Sequence, residues 1–116
     1  MRVLLDECLP RRLKRELVGH DVRTAPEMGW ASKSNGELLA LAVGEFDAFL
    51  TVDRNLSYQQ DISAVDIAVL VLVARSNALD VLRPLVPLVL DALANPRRGT
   101  VTLIRTDSES QANRQR

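Results

Sequence analysis

Four acids stand where apolar runs give out or a helix begins. Asp6 and Glu7 follow Val3-Leu4-Leu5, Glu37 lies in Ser34-Asn35-Gly36-Glu37, and Asp53 closes Leu50-Thr51-Val52-Asp53. Carboxylates drawn together from separate stretches repel one another unless a cation sits between them. Mg²⁺ and Mn²⁺ prefer such oxygen ligands, so the chemistry these acids suggest is a divalent-metal site. Each acid also has an ordinary structural use. Asp6 can cap the helix that follows it, and Asp53 can open the turn before Asn55-Leu56-Ser57. Glu37 completes a Ser-x-x-Glu capping box with Ser34, which stabilises a helix and carries no chemistry. Acids ending two buried strands of one sheet are nevertheless more than capping requires.

The cations nearest these acids are Arg11, Lys14 and Arg15, on one face of the first helix opposite Leu9, Leu13 and Leu17, with Arg12 to one side. Such a face is usually just solvated. Because it begins four residues after the acid pair, it can also guide a phosphate backbone toward a metal.

Other chemistries find little support. Cys8 is the single cysteine and His20 the single histidine, so neither a disulfide within the chain nor a Cys- or His-rich metal site is possible. Cys8 reads as a small buried thiol and His20, after Gly19, as a solvated residue at a helix end. No glycine pattern matches a phosphate-binding loop. Trp30 can stack on a base or face a partner, but more often such a residue covers a helix end.

The elements that must position the acids follow from pattern. Val3–Leu5 reads as a strand buried on both faces. A helix from Pro10, marked by Leu9, Leu13 and Leu17, stops at Gly19. Strands are expected over 21–25, 48–52, 67–73 and 99–105, with a helix over 34–46 and a short helix or turn over 55–61. The apolar segment 78–94 contains Pro84 and Pro87, so its helix must start late or kink. Strand–helix alternation predicts a mainly parallel sheet of about five strands with helices on both faces, a three-layer α/β/α fold. Ligands of such sheets gather beyond the carboxyl ends of the strands, near a topological switch point. Asp6 and Asp53 fall on that rim; the rim met by Glu37 depends on how the preceding loop crosses.

The 116 residues suit one domain, expected over 1–105 and followed by a polar, disordered tail over 106–116. Lys+Arg and Asp+Glu are both 15, so a strongly basic nucleic-acid clamp is excluded as a property of the whole chain. Only Lys14 and Lys33 are lysines; the remaining cations are arginines, whose forks suit phosphate and carboxylate. The opening apolar run of three residues is neither a signal peptide nor a membrane span, and a cytoplasmic location is expected.

Three blocks together resemble the PIN-like family of small bacterial proteins: Met1-Arg2-Val3-Leu4-Leu5-Asp6-Glu7-Cys8-Leu9-Pro10, Asn35-Gly36-Glu37-Leu38-Leu39, and Leu50-Thr51-Val52-Asp53-Arg54-Asn55-Leu56. That family looks like the PIN-domain ribonucleases found as toxins of type II toxin–antitoxin pairs. The resemblance implies a metal-dependent endoribonuclease with catalytic Asp6, Glu37 and Asp53. Mg²⁺ or Mn²⁺ would be held by Asp6, Glu7, Asp53 and Asn55, and RNA would meet Arg11, Lys14, Arg15 and Arg54. Many relatives carry a second Asp and an aromatic where this chain has Asn55 and Leu56; Asn55 offers a carbonyl but no charge. The resemblance also implies a small antitoxin partner and a homodimer. Leu85, Val86, Leu88, Val89 and Leu90, with Met28 and Trp30, add apolar surface beyond what one helix face needs.

Two alternatives remain. A phosphorylation receiver domain has similar acids, with Asp53 as phosphoacceptor, Asp6 and Glu7 on Mg²⁺, and Ser76 as the hydroxyl residue. Against it, Arg105 ends the last strand where that family carries a Lys. A catalytically silent PIN-like binding module is the other reading.

Overall fold

The computed structural model describes residues 1–52 and 65–105. Asp53, Arg54, Asn55, the expected helix or turn over 55–61 and the tail over 106–116 lie outside the described residues. The elements are β1 (Arg2–Leu5), α1 (Leu13–Glu16), β2 (Asp21–Thr24), α2 (Asn35–Ala42), β3 (Ala48–Thr51), β4 (Ala68–Leu72), α3 (Leu79–Leu82), α4 (Val86–Ala94) and β5 (Val101–Ile104). Single 3₁₀ turns cover Pro26–Met28 and Arg83–Leu85.

The five strands form one parallel sheet in the order β2-β1-β3-β4-β5. Successive side chains of a strand point to opposite faces, and here both faces are dry. Val3 and Leu5, Ala48 and Leu50, and Ala68, Leu70 and Leu72 join one core with Leu13, Leu17, Val89 and Leu93. Leu4, Phe49, Val69 and Val71 join the other with Leu38, Leu39 and Ala42. Helices α1 and α4 therefore cover one face and α2 the other. The fold is a three-layer α/β/α sandwich, as the strand–helix alternation predicts.

Two helices are shorter than their apolar pattern. The leucines at 9, 13 and 17 are all buried, but α1 is a single turn. Ahead of it the Leu13, Lys14 and Arg15 amides donate to carbonyls three residues back, at 3.0–3.1 Å. Pro10, which lacks an N–H and cannot continue a helix in the N-terminal direction, begins this tighter lead-in. Helix α2 stops at Ala42 because Gly44 adopts a left-handed backbone (φ 89°), so Phe46 reaches the core from a turn. The segment 78–94 breaks at its prolines into α3, a 3₁₀ turn and α4, as expected. Leu85, Val86 and Val89 are buried within this chain, and Leu88 and Leu90 pack against the same core. The apolar surface that suggested a dimer is therefore largely used internally. Trp30 is half-buried with its ring edge-on to Phe46, at 6.1 Å and 76°. It packs against the core on the α2 side. Among the described residues no helix is long and apolar enough to cross a membrane.

The amino rim of the sheet is tied by charge. The Arg2 amide donates to Asp47 at 2.8 Å, Arg98 donates to the same carboxylate, and the Arg2 guanidinium lies 5.1 Å from the Phe46 ring centre. Asp21 pairs with both Arg2 and Arg23.

Candidate functional site

Helix α1 connects β1 to β2 on one side, and the chain then crosses back over β1 through α2 to reach β3. This reversal puts the topological switch point between β1 and β3, at their carboxyl ends. Asp6 is the first residue beyond β1. Its amide continues the ladder by donating to the Leu50 carbonyl at 2.9 Å, so its side chain is fixed beside Thr51, the last residue of β3.

Asp6 is only 7% exposed. Its Oδ2 accepts from the fully buried Thr51 hydroxyl at 2.7 Å and from the Cys8 thiol at 3.4 Å. Oδ1 has no hydrogen-bond partner among the described residues. Burial, helped by the adjacent Asp6 charge, pushes the Cys8 thiol above its ordinary range, so at neutral pH it remains a protonated donor to Asp6. The loop is pinned from the far side as well. Asn77, beyond β4, donates from Nδ2 to the Cys8 carbonyl at 2.6 Å.

The other rim acids follow the same pattern. Glu7 accepts through Oε1 from the Ser32 amide at 2.9 Å, and Ser32 holds a left-handed backbone (φ 66°) that non-glycine residues rarely adopt. This contact joins the loop before α2 to the loop after β1. Glu37 completes the expected capping box. It accepts through Oε1 from the Ser34 amide at 3.0 Å while its own amide donates to Ser34 Oγ at 3.2 Å. Those bonds hold its pKa below the usual carboxylate value. Glu7 and Glu37 thus each keep one oxygen without a partner among the described residues. Asp6, Glu7 and Glu37 have no ion-pair partner there either, unlike the carboxylates of the amino rim.

A metal needs convergence, and this rim meets that condition only in part. Asp6 has the burial and the free oxygen of an oriented ligand. Among the described residues, however, no three His, Cys, Asp or Glu side chains lie close enough together to hold an ion. Glu37 therefore does not complete a three-ligand set with Asp6 and Glu7. Asp53 and Asn55, which would have to complete it, lie outside the described residues.

Sequence reasoning passed over three partners. Thr51 is a fully buried hydroxyl in an otherwise apolar central strand, and that isolated polarity was its signal. Asn77 carried no signal. Thr24-Ala25-Pro26-Glu27 repeats the Ser/Thr-x-x-Glu spacing, and its ends bond reciprocally: the Thr24 amide donates to Glu27 at 2.9 Å and the Glu27 amide to Thr24 Oγ1 at 3.2 Å.

Lys14 is less available than its position on the helix suggested. Its ammonium binds both Glu27 oxygens, at 2.7 and 2.8 Å. That contact, with the Thr24 amide, lowers the Glu27 pKa from 4.5 to about 2. A carboxylate with a depressed folded-state pKa contributes stability that is present above its unfolded value and is lost as pH falls through the folded one. Wild type is therefore expected to lose part of its stability between 4.5 and about 2, and Glu27→Gln to lose less over that span. Urea midpoints at neutral pH and at the acid end of that window measure the difference; parallel pH profiles would refute it.

Beside this latch two hollows join. One, of about 410 Å³, is lined by Glu7, Leu9, Arg11, Thr24, Pro26 and Glu27. The other, of about 570 Å³, is lined by Arg11, Arg12, Lys14, Arg15 and Glu27. No family model, curated protein or solved structure matches the chain.

Proposed function

We propose that the chain is a divalent-metal-dependent ribonuclease that hydrolyses RNA phosphodiester bonds at the carboxyl rim between β1 and β3. One observation carries the reading: Asp6 is a nearly buried carboxylate at the switch point, oriented through one oxygen by Thr51 and without a partner among the described residues at the other. A carboxylate held in place through one oxygen, with the other open at the rim, is placed as a metal ligand would be. Asp53, two residues beyond Thr51, is the second ligand in this reading, with Asn55 adding an uncharged carbonyl. Glu7 and Glu37 each have one oxygen fixed by a backbone amide and one left to orient water or the ion. A divalent cation, when bound, supplies charge neutralisation and an acidified water.

Of the cations expected to meet RNA, Arg11 and Arg15 have no ion-pair partner among the described residues, while Lys14 is occupied by Glu27. On this reading the substrate is met in the cytoplasm. An unrestrained nuclease also calls for a small antitoxin, as in type II pairs, and we expect a homodimer.

The test is cleavage of single-stranded RNA by the full chain with Mn²⁺ or Mg²⁺. Products are expected with either ion and none in EDTA; cleavage that persists in EDTA would overturn the proposal. The strand order favours one other reading, because receiver domains share this doubly wound order. Ser76, their candidate hydroxyl residue, accepts from the Ala78 amide at 3.2 Å and so serves the turn into α3. Labelling of Asp53 by acetyl phosphate, with no RNA cleavage, would select that reading.

A further inference from the structure

Arg2, Arg23, Arg83 and Arg98 are each engaged with a carboxylate. Arg11, Arg12 and Arg15 are not, nor are Arg75, Arg97 and Arg105, but only the first three are clustered around one groove. All three are exposed, none of their guanidinium groups has a hydrogen-bond or ion-pair partner among the described residues, and all line one groove of about 570 Å³. Among the described residues that line it, the single acid, Glu27, is held through both oxygens by Lys14. It is therefore already compensated and does not neutralise the arginines. Among the described residues the groove thus carries three guanidinium forks without an acidic partner, although the chain as a whole has net charge +0.

Guanidinium forks bind phosphate oxygens in pairs and remain charged at any accessible pH. The groove shares Arg11 and Glu27 with the adjoining hollow, whose wall includes Glu7 on the carboxyl rim. A chain of phosphates held along the arginines would thus continue toward Asp6. Each hollow has the size of a site for one small-molecule unit, which suits the successive nucleotides of a single strand. Leu9 and Pro26 give the smaller one an apolar wall.

We propose that Arg11, Arg12 and Arg15 form a metal-independent phosphate-binding track that lays single-stranded RNA toward the Asp6 rim. The choice of RNA as the source of the phosphates rests on the hydrolytic reading above; the track's affinity for phosphate does not.

The experiment is a titration of a fluorescently labelled single-stranded oligoribonucleotide with the full chain in EDTA. Binding is expected without metal. Three contacted phosphates give a log–log salt slope of about −2, roughly a 20-fold loss of affinity between about 50 and 200 mM salt. The variant Arg11→Gln/Arg12→Gln/Arg15→Gln should bind at least about tenfold more weakly with a flatter slope. Its circular dichroism and melting should be unchanged, because all three side chains are exposed. The proposal is overturned if the triple variant binds like wild type, if binding requires Mn²⁺, or if polyglutamate competes as well as unlabelled RNA. Loss of binding in the triple variant, with no cleavage under any metal, would uphold the track and reject the nuclease. Metal-dependent cleavage unchanged in the triple variant would do the reverse.

Discussion

Asp6→Asn should reduce Mn²⁺-dependent RNA cleavage by at least about 100-fold while leaving the chain folded. Residues that merely orient a metal's ligands alter affinity or activity by about 10–100-fold, so loss of a ligand charge should cost more. The substitution is nearly isosteric, and the amide oxygen can still accept from the Thr51 hydroxyl and the Cys8 thiol, now at 2.7 and 3.4 Å from the carboxylate. What changes is the charge at the switch point. Asp53→Asn should act in the same direction for the same reason. Thr51→Val is the companion measurement. It keeps Asp6 charged but removes its buried donor, which should weaken apparent Mn²⁺ affinity by about 10–100-fold and stability by about 1–3 kcal/mol. Rates across a Mn²⁺ titration, with urea unfolding of each variant, separate these effects. An Asp6→Asn enzyme that cleaves at the wild-type rate would move the chemistry away from this rim.

The strands were legible because burial on both faces leaves an uninterrupted apolar run. Val3-Leu4-Leu5 sends Leu4 into one core and its neighbours into the other, so no position could be polar. Alternation of strand and helix then dictated a parallel sheet, and the parallel sheet dictated the rim on which Asp6 lies. Helix extent was harder to read, because periodic leucines report burial rather than regular hydrogen bonding. Leu9, Leu13 and Leu17 are all buried, although only Leu13–Glu16 is regular helix. Pairings across long separations were least legible. Lys14 lies thirteen residues from Glu27, and nothing local marks that contact apart from the Thr24-x-x-Glu27 spacing, which fixes where the carboxylate points. Glu37 shows the opposite case: its capping box was plain from spacing, and the box now occupies one of its two oxygens.

Phe49→Ala should be the most destabilising single change in the described fold. Phe49 is fully buried in the central strand β3, opposite Leu4 on β1 and Val69 on β4. Among the described residues it is the largest fully buried side chain, in a core that also contains Leu38, Leu39 and Phe46. Removing a buried phenyl ring costs about 3–5 kcal/mol, because the transfer energy is lost and neighbours tied into a sheet cannot close the cavity. Domains of this size are stable by only about 5–15 kcal/mol, so the melting temperature should fall by roughly 15–30 °C. Thermal unfolding measures this, with Val18→Ala as the control, since Val18 is 76% exposed and should change little. The same strand ends in Thr51, so unfolding of β3 removes the hydroxyl that orients Asp6. Above its own melting midpoint the Phe49 variant should lose cleavage together with fold. Well below that midpoint it should retain wild-type Mn²⁺ dependence, which Asp6→Asn should not. A Phe49→Ala protein that melts like wild type would mean that β3 is not the packed centre of this sheet.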